Sequence, residues 1–95
     1  MHIITRKRLM EFARTHPDAR APLNAWFTIV QKTDYTSFAD LRATFPSADQ
    51  VSRFTVFNIG GNKFRLIAAI HYNRKKLYIR HVLTHAEYDR DAWRT

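Results

Sequence analysis

Apolar residues recur at helical spacing through the first half of the chain and at alternate positions through much of the second. Leu9, Phe12, Ala13 and His16 fall at i, i+3, i+4 and i+7, one face of a helix, and His16-Pro17-Asp18 ends it. Leu23, Trp26, Phe27 and Val30 repeat the spacing, and Pro22 suits a first helical turn, where its missing N–H is no loss. Ser37 precedes Phe38-Ala39-Asp40 as the cap of a third, shorter helix that runs through Leu41 toward Phe45 and stops at Pro46. These stripes read as core faces.

Period two takes over near Val51. Phe54 to Ile59 is β-branched and aromatic and runs into Gly60-Gly61, a hairpin signal. From Lys63 to Tyr72 the even positions (Phe64, Leu66, Ala68, Ile70, Tyr72) form an unbroken apolar face. Leu77, Ile79, His81 and Leu83 then alternate with Lys76, Tyr78, Arg80 and Val82. A turn centred on Arg74-Lys75 sets Tyr72 opposite Leu77, Ile70 opposite Ile79 and Leu66 opposite Leu83, with His81 on that apolar face. On the other face it sets His71 opposite Tyr78, Ala69 opposite Arg80 and Arg65 opposite Thr84. One face should lie under the helices, and the other should be partly solvated and carry Lys63, Arg65, Tyr78 and Arg80. The register of Phe54–Ile59 against the next strand stays open.

Thr84-His85-Ala86-Glu87 matches a capping box, with Thr84 as N-cap and Glu87 reaching back to its amide. Glu87 is therefore read as structural. In the short helix that follows, His85 and Tyr88 are three apart and share a face. With Thr84 beside Arg65, the residues Arg65, His85 and Tyr88 should converge at the end of the hairpin away from Arg74-Lys75. Trp93 either docks the last helix or lies exposed; both readings stay open.

Composition narrows the classes. The 95 residues fit one domain spanning 1–95, and 45% apolar content with 14% aromatic is enough for one core. Without Cys, a disulfide framework and thiol catalysis are excluded. No apolar run approaches the roughly 20 residues of a membrane span. The opening Met1-His2-Ile3-Ile4-Thr5-Arg6-Lys7-Arg8 puts charge after the apolar residues, the reverse of a secretory signal, so a soluble cytoplasmic protein with no membrane partner is expected. The net charge is +8. Residues 1–50 carry seven basic and five acidic side chains, net +2, whereas residues 51–95 carry nine and three, net +6. The second half should face something anionic, a nucleic acid backbone first, although a merely solvated basic surface has the same composition.

RNA brings its own nucleophile, the 2′-hydroxyl. To cut it, a protein needs a base for the 2′ proton, cations for the charge gathering on phosphorus, and an acid for the departing 5′ oxygen. Histidine can serve as acid or base near neutrality, arginine can grip phosphate through paired hydrogen bonds, and tyrosine can stack a base or donate a proton. The expected cluster has all three, with Lys63, Arg80, Tyr78 and Asn62 as RNA-binding candidates around it. Each has a blander reading: a surface cation, the first residue of a helix, a ring packed on a sheet. His2, His16 and His71 are scattered, no His-Glu-x-x-His spacing points to a metal, and no cofactor is expected. Gly60-Gly61 is a turn and lacks the pattern of a phosphate-cradling loop.

Val56-Phe57-Asn58-Ile59-Gly60-Gly61-Asn62-Lys63-Phe64-Arg65-Leu66, followed by Tyr78-Ile79-Arg80-His81-Val82-Leu83-Thr84-His85-Ala86-Glu87-Tyr88-Asp89, resembles the HigB-type toxins. Met1-His2-Ile3-Ile4-Thr5 and Phe45-Pro46-Ser47-Ala48-Asp49 extend the likeness over nearly the whole chain. The resemblance implies an α+β, RelE-like fold: a small antiparallel sheet with N-terminal helices on one face and a short C-terminal helix. It implies an mRNA interferase, an endoribonuclease that cuts messages on the translating ribosome and leaves a 2′,3′-cyclic phosphate. It also implies a HigA-type helix-turn-helix antitoxin, with operator DNA reached only through the toxin–antitoxin complex. Arg65 matches the strand arginine that RelE-like toxins set against the scissile phosphate, and His85 the position of a basic acid/base residue after the last strand. Tyr88 and Lys63 are nearby. RelE itself has no matching histidine, so the general base is not assigned by the likeness. The rival reading is a non-catalytic RNA- or ribosome-binding module using the same basic face.

Overall fold

A computed structural model describes residues 1–91 and Trp93. The elements follow the order β1 (His2–Ile4), α1 (Lys7–Thr15), α2 (Arg20–Gln31), α3 (Phe38–Thr44), β2 (Asp49–Val51), β3 (Phe54–Ile59), β4 (Phe64–His71), β5 (Lys76–Thr84) and α4 (His85–Asp89). The fold is α+β, and its five strands form one sheet in the order β1-β5-β4-β3-β2. All pairs are antiparallel except β1 with β5, which is parallel.

The helix boundaries follow from local chemistry. Pro17 closes α1 because its ring cannot continue the hydrogen-bond ladder, and a single 3₁₀ turn, Pro17–Ala19, leads into α2. The Ser37 hydroxyl accepts the Asp40 N–H at 3.1 Å and starts α3. Thr84 and Glu87 complete a reciprocal capping box at α4: the Thr84 N–H donates to Glu87 Oε1 at 2.9 Å, and the Glu87 N–H donates to Thr84 Oγ1 at 3.2 Å.

The helix-facing side of the sheet presents Phe57, Ile59, Phe64, Leu66, Ala68, Leu77 and Ile79 to Leu9, Leu23, Trp26, Val30 and Leu41. Leu66, at the centre, is wholly buried. Truncation of such a residue to Ala costs about 2–5 kcal/mol, through lost burial and the cavity left behind.

Two details of the β4–β5 hairpin differ from the alternation in the sequence. The connection is a four-residue turn, Tyr72–Lys75, in which Lys75 adopts the left-handed region with φ 57° and ψ 39°. His71 therefore faces Lys76, Ile70 faces Leu77 and Ala68 faces Ile79. A bulge then inserts Arg80 as an extra residue in β5, so that Ile67 faces His81, Leu66 faces Val82 and Arg65 faces Leu83. This second shift moves His81 off the helix-packed face and Val82 onto it. The partner of Arg65 is Leu83 and that of Thr84 is Phe64, a correction of one residue. On β3, Asn58 lies opposite Arg65.

The second face of the sheet is not simply solvated. Phe54, Val56, Ile67 and Trp93 form a second buried cluster, with Val51, Ala69, Leu83 and Tyr88 packed against it. Trp93 is docked: its indole N–H donates to the Tyr88 carbonyl at 3.0 Å, and its ring stacks on Tyr88 at 5.1 Å.

Candidate active site

Arg65 enters this second face from the middle of the sheet and is only 8% exposed. Its Nη1 donates to the carbonyls of Asn62 and Phe64 at 3.2 and 3.1 Å, and its Nη2 donates to Asn62 Oδ1 at 3.0 Å. The guanidinium thus ties the turn after Gly60-Gly61 to the start of β4. Both glycines hold φ near +65° (62° and 68°), which residues with a Cβ adopt only at a cost. The turn that presents Asn62 to Arg65 depends on them.

Tyr88 stands over the guanidinium, with Cζ 5.5 Å from its ring centre. It reaches that place because the capping box fixes where α4 begins, and the His85 N–H adds a tie by donating to the Lys63 carbonyl at 3.1 Å. Helix α4 is therefore pinned to the same loop that Arg65 organises. His85 lies one helical turn before Asp89, and its Nδ1 is 3.1 Å from Asp89 Oδ2. Both side chains are roughly half exposed, 47% and 61%, so this pairing sits in water and contributes little to stability.

Of the residues singled out from the sequence, Arg65, Tyr88, Asn62 and His85 gather at the end of the hairpin away from the Tyr72–Lys75 turn. The link from Arg65 to His85 runs through Tyr88 and the shared loop; the imidazole itself is paired with Asp89. Lys63 leans toward the helices, where its Nζ is 3.7 Å from Asp18. Tyr78 is elsewhere: it faces Ala69, four residues along β4 from Arg65 or about 13 Å at strand rise, and its ring contacts His71. Arg80 is the exposed bulge residue of β5.

Two members of the neighbourhood were not singled out from sequence. Asp89 had a visible signal, the i, i+4 spacing from His85. Asn58 had none, because its place opposite Arg65 follows only from the β3–β4 register. Among the described residues no group of three or more His, Cys, Asp or Glu is arranged to hold a metal ion.

The model of a family described as the RelE-like toxic component of a toxin–antitoxin system, the HigB toxins, matches residues 19–91. The chain belongs to the HigB toxin family. Among curated HigB relatives, it is 38% identical over 92 residues to the mRNA interferase toxin HigB of Escherichia coli strain K12, covering 94% of this chain and 88% of that protein. It is 32% identical over 93 residues to the mRNA interferase HigB of Escherichia coli O6:H1, covering 95% and 90%. Arg65, His85, Tyr88 and Asp89 all lie inside the segment matched by the HigB family.

Proposed function

We propose that this HigB-family protein is an endoribonuclease toxin that cuts mRNA through attack by the RNA 2′-hydroxyl. The observation that carries the reading is the gathering of Arg65, Tyr88 and the His85–Asp89 pair around one loop, on a chain whose relatives are named mRNA interferases.

Asp89 Oδ2 stands 3.1 Å from His85 Nδ1, which leaves Nε2 as our candidate general base. That nitrogen takes the 2′ proton as the 2′ oxygen attacks phosphorus. The P–O5′ bond breaks, the 5′ oxygen leaves with a proton, and the products are a 2′,3′-cyclic phosphate and a 5′-hydroxyl. Arg65 directs the N–H groups not used by the loop toward the phosphate, where negative charge builds in the transition state. Tyr88 holds the guanidinium in place, and its phenol is our candidate donor to the leaving oxygen. Lys63, Arg80, Tyr78 and Asn62 are assigned to binding of RNA or to support of the loop. The message is cut on the translating ribosome in the cytoplasm, and a HigA-type helix-turn-helix antitoxin neutralises the toxin and carries it to operator DNA.

Mapping of RNA ends after incubation with translating ribosomes tests this reading. Wild type should give new 5′-hydroxyl ends, and His85→Ala should lower the rate by roughly 10² or more, the usual worth of a positioned acid or base. Intact RNA under saturating wild-type protein would assign the chain to a non-catalytic RNA-binding module instead.

A further inference from the structure

The parallel strand β1 covers β5 only at Lys76, Leu77 and Tyr78. From Ile79 to Thr84, about 20 Å at strand rise, β5 has β4 on one side and, among the described residues, no strand on the other. Three hollows follow this edge in sequence, of about 320, 290 and 260 Å³, and His81 lines all of them. Arg8 from α1 lines the first two, Arg80 lines the first, and Arg90 lines the third beside Trp93.

All three arginines are exposed. Among the described residues none of them has an acidic group within ion-pair distance. The two carboxylates in the same hollows are already engaged. Glu11 is 3.9 Å from Lys7, and Glu87 is held in the capping box. The bulge explains how Arg80 comes to stand on the edge, since it lifts one residue out of the ladder. His81 responds to this field: burial, and then Arg8 and Arg80, hold its imidazole below the ordinary value.

We infer that the open edge of β5 is a track for single-stranded RNA, in which Arg8, Arg80 and Arg90 hold successive phosphates on the way to the helix that carries His85. The inference rests on the reading of the protein as an RNA-cutting toxin, and it adds α1, through Arg8, to the substrate-binding surface. A run of exposed guanidinium groups that form no close ion pair among the described residues, beside an extended backbone, matches a polyanionic strand, and the arginines themselves hinder pairing by a second polypeptide.

The test uses a fluorescent 12-nucleotide RNA with every 2′-hydroxyl methylated, so that the 2′ oxygen cannot attack. Binding is measured by anisotropy over a salt series for wild type, Arg8→Ala, Arg90→Ala and Arg14→Ala, with cleavage of ribosome-bound mRNA scored in parallel. Arg14 lines the hollow between α1 and α2, off the track, and its variant should match wild type. Loss of one phosphate contact flattens the single-strand salt slope by about 0.7, which is about fivefold weaker binding near 0.1 M salt, for Arg8→Ala and for Arg90→Ala alike. Arg8→Ala and Arg90→Ala proteins that keep the wild-type affinity and slope would overturn the track, while wild-type cleavage would leave the nuclease reading standing. Failure of wild type to bind the oligonucleotide, with antitoxin protecting the Ile79–Leu83 amides from exchange, would also overturn it and assign the edge to strand pairing. Arginine-dependent RNA binding without any cleavage would support the track and remove the nuclease.

Discussion

The Arg65 guanidinium lies 5.5 Å from the centre of the Tyr88 ring while its nitrogens bond the Asn62 and Phe64 carbonyls and the Asn62 side chain. One side chain therefore joins the β3–β4 turn to the C-terminal helix. The same guanidinium that would meet phosphate is the anchor of the loop that shapes the site, so substitutions there act on fold and activity together.

Tyr88 separates these two effects. In Tyr88→Phe the ring still covers Arg65 and still stacks on Trp93, so melting should shift by less than about 1 kcal/mol, the worth of one ordinary hydrogen bond. Tyr88→Ala loses both ring contacts and should cost about 2–4 kcal/mol, near the range for truncating a buried aromatic. Cleavage rates read beside melting curves decide the role of the phenol. A Phe variant that melts and cuts like wild type would remove the hydroxyl from the proton path and leave the ring as a clamp.

The pair His85 and Asp89 should behave in the opposite way. Because both groups are about half exposed, Asp89→Asn should leave the melting temperature nearly unchanged. It should nevertheless slow cleavage by roughly tenfold, since the carboxylate beside His85 Nδ1 is lost. Asp89→Asn that cleaves at the wild-type rate would mean that His85 needs no orienting partner.

What could be read from the residues in order was whatever depended on near neighbours. Proline ends α1, Ser37 and Thr84 cap their helices, and the apolar face of β4 is visible in plain alternation. What could not be read depended on backbone geometry or on distant partners. A left-handed Lys75 lengthens the hairpin turn, and one extra residue at Arg80 reverses the alternation of β5 beyond it. Strands β1 and β2 are three residues each, too short for a period, and β1 finds its partner more than seventy residues away. The covered second face did leave a trace, because Ile67 and Ala69 are apolar at the positions between the core residues of β4. For the site, the hairpin and the capping box brought Arg65 and Tyr88 together despite the one-residue shift in register, and the alternation already set Tyr78 near the turn, far from Arg65, whereas the lean of Lys63 toward Asp18 left no trace in it.

His81 supplies a titration that reports the field along β5. Burial comes first among the causes that lower its pKa from the ordinary 6.5, with Arg8 and Arg80 adding to it. The folded imidazole therefore releases its proton more readily than the unfolded one. As pH falls through 6.5, the unfolded chain takes up a proton the folded chain refuses, so stability drops until the folded value is reached. Two-dimensional NMR should place the His81 midpoint below 6.5 in wild type and nearer to it in Arg8→Ala, with the burial contribution remaining. Identical midpoints in the two proteins would show that Arg8 does not act on this imidazole.

The capping box gives a pH dependence with the same overall slope in a different window. The Thr84 N–H bonded to Glu87 Oε1 favours the carboxylate and holds its pKa below the ordinary 4.5, with the Thr84 hydroxyl, His16 and Arg90 acting in the same sense. For an acid lowered in the folded state, the stabilising contribution is complete above the unfolded value and disappears as pH falls through the folded one. At pH 7, Thr84→Ala should cost about 1 kcal/mol, as loss of an N-cap usually does. Glu87→Ala should be destabilised as well, and its deficit relative to wild type should narrow once the pH is well below 4.5, where wild type has lost its carboxylate too. Because α4 carries both His85 and Tyr88, the two variants should also lose cleavage activity at pH 7, and urea unfolding followed across the pH range distinguishes this indirect loss from a catalytic one. A Glu87→Ala deficit that stays constant from pH 7 to below 4.5 would mean that the charge of Glu87 contributes nothing to holding α4 in place.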